Sequence, residues 1–266
     1  RVMPYINGRL WDTRDKGAED WLFTSEGKAG ATKNPDGSVI TESYGSKESD
    51  GSAVKLAVMC PTTAVWCDKV RELTKKLLQE VGVDGVYIDC LSSTRPVLCC
   101  DPEHHHPAGG GRWWAEGYRR MLEAIVRDVP KNCAITSEST ADAYTRDLGA
   151  MLSWDRWFDG HVPGCMTVYA GYIQHFGRNY SSADSGGIRI SCAQSLLFGE
   201  QMGWIPPGTY LNMQHKEFYA SAVRTRYKYN EFFWGGRPLR PPVVSCGLPE
   251  IKGKVLYDIM RSPPVL

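Results

Sequence analysis

Short apolar runs alternate along the chain with longer stretches that carry apolar residues at helical spacing, and this alternation predicts βα units around a parallel sheet. Seven runs read as strands. They cover residues 2–6, ending in Asn7-Gly8; 55–59, stopped by Cys60-Pro61; 85–89; 133–136, running into Ser137-Glu138; 150–153, ending at Trp154-Asp155; 167–173; and 196–198, running into Gly199-Glu200-Gln201. Three amphipathic helices are expected. Over 65–81, Val70, Leu73, Leu77 and Leu78 share one face, and Gly82 and Gly85 end the segment. Over 112–127, Met121, Leu122, Ile125 and Val126 face inward, and a last helix spans residues 216–232. The Gly/Ser/Asp/Lys-rich residues 28–52 predict a long polar surface excursion, either a solvated loop or a substrate-binding lid.

A chain of 266 residues is long enough for one large core, and βα barrels use about 250 residues as a single domain. The expected fold class is therefore α/β, a TIM (β/α)8-type barrel forming one catalytic domain over residues 1–266. Seven strands fall one short of closure, so the first βα unit is expected to lie before Arg1. The strand edge left open would then be covered by a rearranged element or by a second copy of the chain.

Composition narrows the partners. At 42% hydrophobic and 23% charged residues the chain is globular rather than disordered. A net charge of +1 without a dense basic run excludes the phosphate-neutralising surface of a nucleic-acid binder. No apolar run reaches the roughly 18 residues of a membrane helix, and no leader is visible, so a soluble protein is expected, with cytoplasm and export both open. The nine Cys lack a CxxC…CxxC pattern and read as reduced, mostly buried thiols rather than a disulfide framework or a structural zinc site. Nine Trp and thirteen Tyr suit a carbohydrate partner, since a pyranose presents an apolar face that stacks on aromatic rings.

In a βα barrel the functional groups stand at the C-terminal ends of the strands. Asp89, Glu138, Asp155 and Glu200 each follow a strand-like run directly. One such acid is commonly a cap or a structural ion pair; four that converge suggest chemistry. Cleavage of a glycosidic bond needs one carboxylate against the oxocarbenium-like centre and a second carboxyl that protonates the leaving oxygen. Asp89 is read as nucleophile, Glu138 as general acid/base, and Asp155 as a hydroxyl ligand or the alternative acid. No cofactor is expected.

The motif DGVYIDC, residues 84–90, resembles the strand-then-Asp nucleophile motif of retaining α-glycosidase barrels, which include α-amylase-like, α-galactosidase-like and endo-α-N-acetylgalactosaminidase-like enzymes. The stretches CPTTAVWCDKV, DPEHHHPAGGGRWWAEGYRRML, AITSESTADAY and VYAGYIQHFGR resemble a set of mostly uncharacterised bacterial proteins of that superfamily. The resemblance implies a glycosidase acting on an oligo- or polysaccharide by a retaining mechanism, α-linkage favoured. If Asp89 closes the fourth strand and Glu138 the fifth, the pair matches α-amylase-like and endo-α-N-acetylgalactosaminidase-like enzymes. In α-galactosidase-like and α-glucosidase-like families the acid follows the sixth strand, which points to Asp155. The β-glycanase clan, with Glu after the fourth and seventh strands, is disfavoured.

Secondary candidates surround the strand ends. Asn7 and Arg9 are placed to bond hydroxyls, or Arg9 to hold Asp89 or Glu138 ionised. Trp11, Trp113, Trp114, Trp154, Tyr169, Tyr172 and Trp204 line the cleft or fill the core, and His105, Gln174, His175 and Glu200 are further ligands for a sugar hydroxyl. In Cys99-Cys100-Asp101-Pro102-Glu103-His104-His105-His106-Pro107, three adjacent His are expected to point in different directions, so no metal is assigned. Two other functions stay open: a non-catalytic carbohydrate-binding barrel, and a metal-dependent hydrolase using the His104–His106 loop.

Overall fold

The computed structural model of the protein describes residues 2–108, 110–153, 164–177, 185–203, 205, 207–211 and 216–236. The chain divides into two compact units, one ending at Leu148 and the other starting at Gly149. Among the described residues no helix is long and apolar enough to cross a membrane.

In chain order the first unit contains β1 (Tyr5–Asn7), β2 (Leu10–Asp12), β3 (Asp15–Lys16), β4 (Glu19–Asp20), β5 (Thr41–Glu42), β6 (Leu56–Val58), α1 (Ala64–Lys75), β7 (Gly85–Asp89), α2 (Trp113–Asp128) and β8 (Ala134–Glu138). Its centre is a parallel ladder in which β7 lies between β1 and β8, with Asn7 opposite Asp89 and Ile88 opposite Ser137. Gly85, Val86, Tyr87 and Ile88 of β7 are all buried, as a strand covered on both faces requires.

Helix α1 and the wider turn that continues it over Lys76–Val81 bury Trp66, Val70, Thr74 and Leu78. That four-residue repeat leaves Leu73 about 100° around the helix from Thr74, and it faces solvent rather than the core as expected. Helix α2 buries Trp113, Trp114, Tyr118, Met121, Leu122 and Ile125, whereas Val126, on the flank of the same stripe, is exposed.

The expected second barrel strand, residues 55–59, does not join the parallel ladder. Its core, β6, pairs antiparallel with β2 on one side and β5 on the other. The cause lies at the end of β1. The Asn7 carboxamide accepts the backbone N–H groups of Arg9 and Leu10, at 2.8 Å each, and turns the chain at Gly8. A Cβ at Gly8 would meet Ile88 Cγ2 at 2.6 Å, so only glycine lets this turn lie against β7. The returning chain becomes β2 and gives β6 a partner outside the ladder. Much of the expected excursion over 28–52 is correspondingly built: Ala31 and Thr32 are buried, and β5 brings Glu42 to the buried Arg9.

The second unit contains β9 (Ala150–Ser153), α3 (Gly164–Val168), β10 (Gln174–Gly177), α4 (Ser185–Leu197), β11 (Gln201–Met202), α5 (Pro207–Leu211), α6 (Lys216–Lys228) and α7 (Asn230–Gly235). Strand β10 pairs parallel with both β9 and β11. Here two expected strands move. Residues 167–173 begin as the end of α3, and the strand starts only at Gln174. Residues 196–197 end helix α4, Gly199 takes a left-handed φ of 70° just beyond it, and the strand follows at Gln201. Both errors have one source, because a short apolar run does not distinguish a strand from a buried helical turn. The helix expected over 216–232 is present as α6 and α7.

Candidate active site

Strands alternate their side chains, so Tyr87 and Asp89 share one face of β7, and Tyr5 and Asn7 share one face of β1. With Asn7 opposite Asp89 and Tyr5 opposite Tyr87, four polar side chains gather at one end of the ladder. Tyr5 Oη donates to Asp89 Oδ2 at 2.8 Å, Tyr87 Oη lies 3.4 Å from Asp89 Oδ1, and the Cys90 thiol is 3.1 Å from Oδ2. Asn7 Nδ2 donates to Tyr5 Oη at 3.2 Å and is 3.7 Å from Cys90 Sγ. Three proton donors thus surround one carboxylate.

These donors keep their protons. Burial, together with the bond to Asp89, raises the Tyr5 phenol, and burial with the nearby Asp89 and Glu138 charges raises that of Tyr87. Burial, then the Asp89 bond, pushes the Cys90 thiol up to about 12. All three therefore remain neutral donors across the physiological range.

On the neighbouring strand, Glu138 ends β8. One ligand atom each from Asp89, Cys90 and Glu138 lies within 4.8 Å of the others. The chain after each carboxylate steps into the left-handed region, at Cys90 (φ 61°) and Ser139 (φ 57°), a conformation costing non-glycine residues about 1–3 kcal/mol. What over-determines it is a set of hydroxyl bonds between the two strand ends. Ser93 Oγ donates to Glu138 Oε2, and Ser92 Oγ donates to the Glu138 carbonyl and sits 2.9 Å from Ser137 Oγ. Ser137 Oγ in turn donates to the Ile88 carbonyl at 2.7 Å, and Thr94 Oγ1 to that of Cys90 at 2.6 Å. The loop leaving Asp89 thus orients Glu138.

The other candidates are placed as follows. Arg9 does not reach either carboxylate: it is buried, forms a close pair with Glu42 (2.6 Å) and lies over the Trp114 ring at 5.4 Å. Its net effect is to hold the Glu42 carboxyl low against the opposing pull of burial. Trp11 donates to the Trp21 carbonyl at 2.8 Å and, with Asn7, Trp21, Leu22 and Trp66, lines an open groove. His105 is exposed and left-handed (φ 54°), while Trp113 and Trp114 are core residues. In the second unit Tyr172 is exposed, Tyr169 half-buried and Glu200 fully buried, its carbonyl held by Arg226 Nε at 3.0 Å. Arg226 also donates to Gln174 at 2.9 Å, and burial lowers His175 to about 4, keeping it neutral. Asp155, Trp154 and Trp204 lie outside the described residues.

Sequence reasoning missed Tyr5, Tyr87, Cys90, Ser92 and Ser93. The two tyrosines were available from the period-two rule, being two residues before the strand-end Asn7 and Asp89. The serines carry no such signal, because only the fold of the loop brings them to Glu138. The divergence expected for three adjacent His is also corrected: His105 turns away, but His104 and His106 converge on Cys60 and Cys99, with one ligand atom from each within 4.8 Å of the others.

Comparison with known proteins agrees with the fold. A family described as "Domain of unknown function (DUF6259)" matches residues 1–180. A Bacteroides thetaiotaomicron protein named "Putative glycoside hydrolase" is 31% identical over 245 residues, covering 89% of this chain and 35% of the relative. The chain thus spans about a third of that relative's length. Among solved structures, the α-N-acetylgalactosaminidase NagBb from Bifidobacterium bifidum in its GalNAc complex superposes with a TM-score of 0.60 at 14% identity, covering 90% of this chain and 37% of that one. A cycloalternan-degrading enzyme from Trueperella pyogenes, in complex with a covalent intermediate, gives 0.59 at 14% identity over 88% of this chain and 35% of that one. The chain shares the α/β barrel fold of these glycosidases.

Proposed function

We propose, for a chain that belongs to the DUF6259 family of domains, that it carries the catalytic carboxylates of a retaining glycoside hydrolase acting on α-linked oligo- or polysaccharides. The observation that carries this reading is the approach of Asp89 and Glu138, from adjacent parallel strand ends, to within 4.8 Å of one another. Retaining enzymes hold their two carboxyl groups about 5–5.5 Å apart, whereas inverting enzymes leave about 6.5–9.5 Å for a water. An oxygen of each carboxyl within 4.8 Å of the other leaves less room for a water than the inverting arrangement, and this supports retention.

The roles follow from the surroundings. Asp89, oriented by the contacts with Tyr5, Tyr87 and Cys90, attacks the anomeric carbon and forms the glycosyl ester. Glu138 gives its proton to the departing oxygen and then takes one from the water that cleaves the ester. Ser93 fixes the Glu138 carboxyl so that the same group serves both steps. The preference for α-linkages is supported by the named activity of NagBb, and ester formation by the covalent intermediate of the cycloalternan-degrading enzyme. The groove containing Trp11 and Trp21 opens beside Asn7 and offers ring faces to a sugar.

A panel of aryl glycosides of both anomers tests this reading. Release of the aryl group from one or more α-glycosides, lost on addition of an excess of the matching free sugar, is expected. Sugar binding by calorimetry with no turnover of any α- or β-glycoside would instead identify a non-catalytic carbohydrate-binding barrel.

A further inference from the structure

The geometry points to a structural zinc site made by Cys60, Cys99, His104 and His106, which ties the long connection between β7 and α2 to the end of β6. Cys60 Sγ lies 3.5 Å from His106 Nε2, and Cys99 Sγ lies 3.3 Å from His104 Nδ1. A tetrahedral zinc, with Zn–S about 2.3 Å and Zn–N about 2.0–2.1 Å, separates neighbouring sulfur and nitrogen ligands by about 3.5 Å. The side chains therefore already stand at the spacing of a coordination shell. Both cysteines are free thiols and fully buried. Two thiols and two imidazoles form a soft, mixed S2N2 set that favours zinc over the oxygen-seeking calcium and magnesium.

The surroundings of each imidazole fix which nitrogen faces the cluster. His104 Nε2 is 2.9 Å from the Ala29 carbonyl and 3.3 Å from Asp101 Oδ2, so its proton sits there and Nδ1 is left toward Cys99. His106 Nδ1 is 3.1 Å from the Pro107 carbonyl, which leaves Nε2 toward Cys60. A carboxylate or carbonyl behind the non-ligating nitrogen is the usual support of a metal-bound histidine. The His106 ring lies flat on Trp113, with centroids 3.7 Å apart, and this stacking sets its plane. On the thiol side, the Thr62 hydroxyl is 3.1 Å from Cys60 Sγ.

Four protein ligands complete a tetrahedron and leave no position for water or substrate, which distinguishes this site from the centre of a metal-dependent hydrolase. Its consequence is mechanical. Among its described residues the connection after β7 carries one helical turn, Pro102–His104, before α2, and a loop that long is mobile unless tied down. Its first residues, Cys90, Ser92 and Ser93, are those that hold Asp89 and Glu138. The inference does not rest on glycosidase activity, since its readout is the metal itself.

The test is elemental analysis of the full chain, purified under reducing conditions without chelator, joined to cobalt substitution. About one zinc per chain is expected, because the four ligands make one closed site. Cobalt in its place should give the intense visible bands of a tetrahedral ion and a near-ultraviolet thiolate charge-transfer band. Cys60→Ser/Cys99→Ser should abolish both bands. If that variant does not fold, removal of zinc from the wild-type chain by a strong chelator should expose two further thiols to a thiol reagent and lower the melting temperature. A folded wild-type chain that takes up neither zinc nor cobalt would overturn the site, as would an octahedral cobalt spectrum or zinc retained undiminished in the folded double variant.

Discussion

Asp89→Ala should lower kcat/KM on the best α-glycoside found by about five orders of magnitude, equivalent to about 7 kcal/mol of transition-state stabilisation at 1.36 kcal/mol per tenfold. The size reflects a lost bond rather than a weakened contact, because without the carboxylate no glycosyl ester forms. The fold should survive. Asp89 is half-buried at a strand end, its ladder bonds to β1 are made by the backbone, and the exposed Tyr5 phenol it releases can turn to water. Circular dichroism and melting temperature close to wild type, alongside the rate loss, are the expected pair of results. Wild-type turnover in a folded Asp89→Ala protein would remove the proposed nucleophile.

Glu138→Ala should show a loss that depends on the leaving group. General acid assistance contributes about 10²–10⁴-fold, and it is needed only where the departing oxygen is a poor leaving group. Natural α-linked oligosaccharides should therefore lose activity by about that factor, while activated aryl glycosides retain their first step and stall at the second. An added small nucleophile such as azide should restore turnover of the activated substrates. The limb of the pH–rate profile that reports a protonated acid should disappear with Glu138. Equal losses on natural and activated substrates would mean that Glu138 supports the site without transferring a proton. The acid would then have to be sought elsewhere, with Asp155 as the first residue to replace.

How far the sequence foretold this site depends on the range of the interactions involved. Asp89 and Glu138 were visible because each follows a short apolar strand, and adjacency in a parallel sheet is the usual outcome for successive βα units. The β7–β8 ladder, α1, α2 and the α6–α7 segment were visible for the same reason, being defined by local period. Residues 55–59 were not, because their pairing with β2 depends on the Asn7–Gly8 turn some fifty residues earlier. Tyr5 and Tyr87 lay within reach of the strand period, but Ser92 and Ser93 depend on a loop whose path no local rule encodes. The same holds for the metal ligands. Cys60 and Cys99 belong to no CxxC pair and are gathered with His104 and His106 only by the fold, so a search by spacing passes over them. Arg9 shows the reverse case: its place just after the first strand suggested the carboxylates, yet Glu42 of the antiparallel layer claims it.

The most direct measurement is proton NMR of the first product formed from an α-linked substrate, recorded before mutarotation. The close pairing of Asp89 and Glu138 predicts that the α-anomer appears first and then equilibrates. Initial appearance of the β-anomer would mean single-step displacement by water, and would contradict the assignment of Asp89 as a nucleophile.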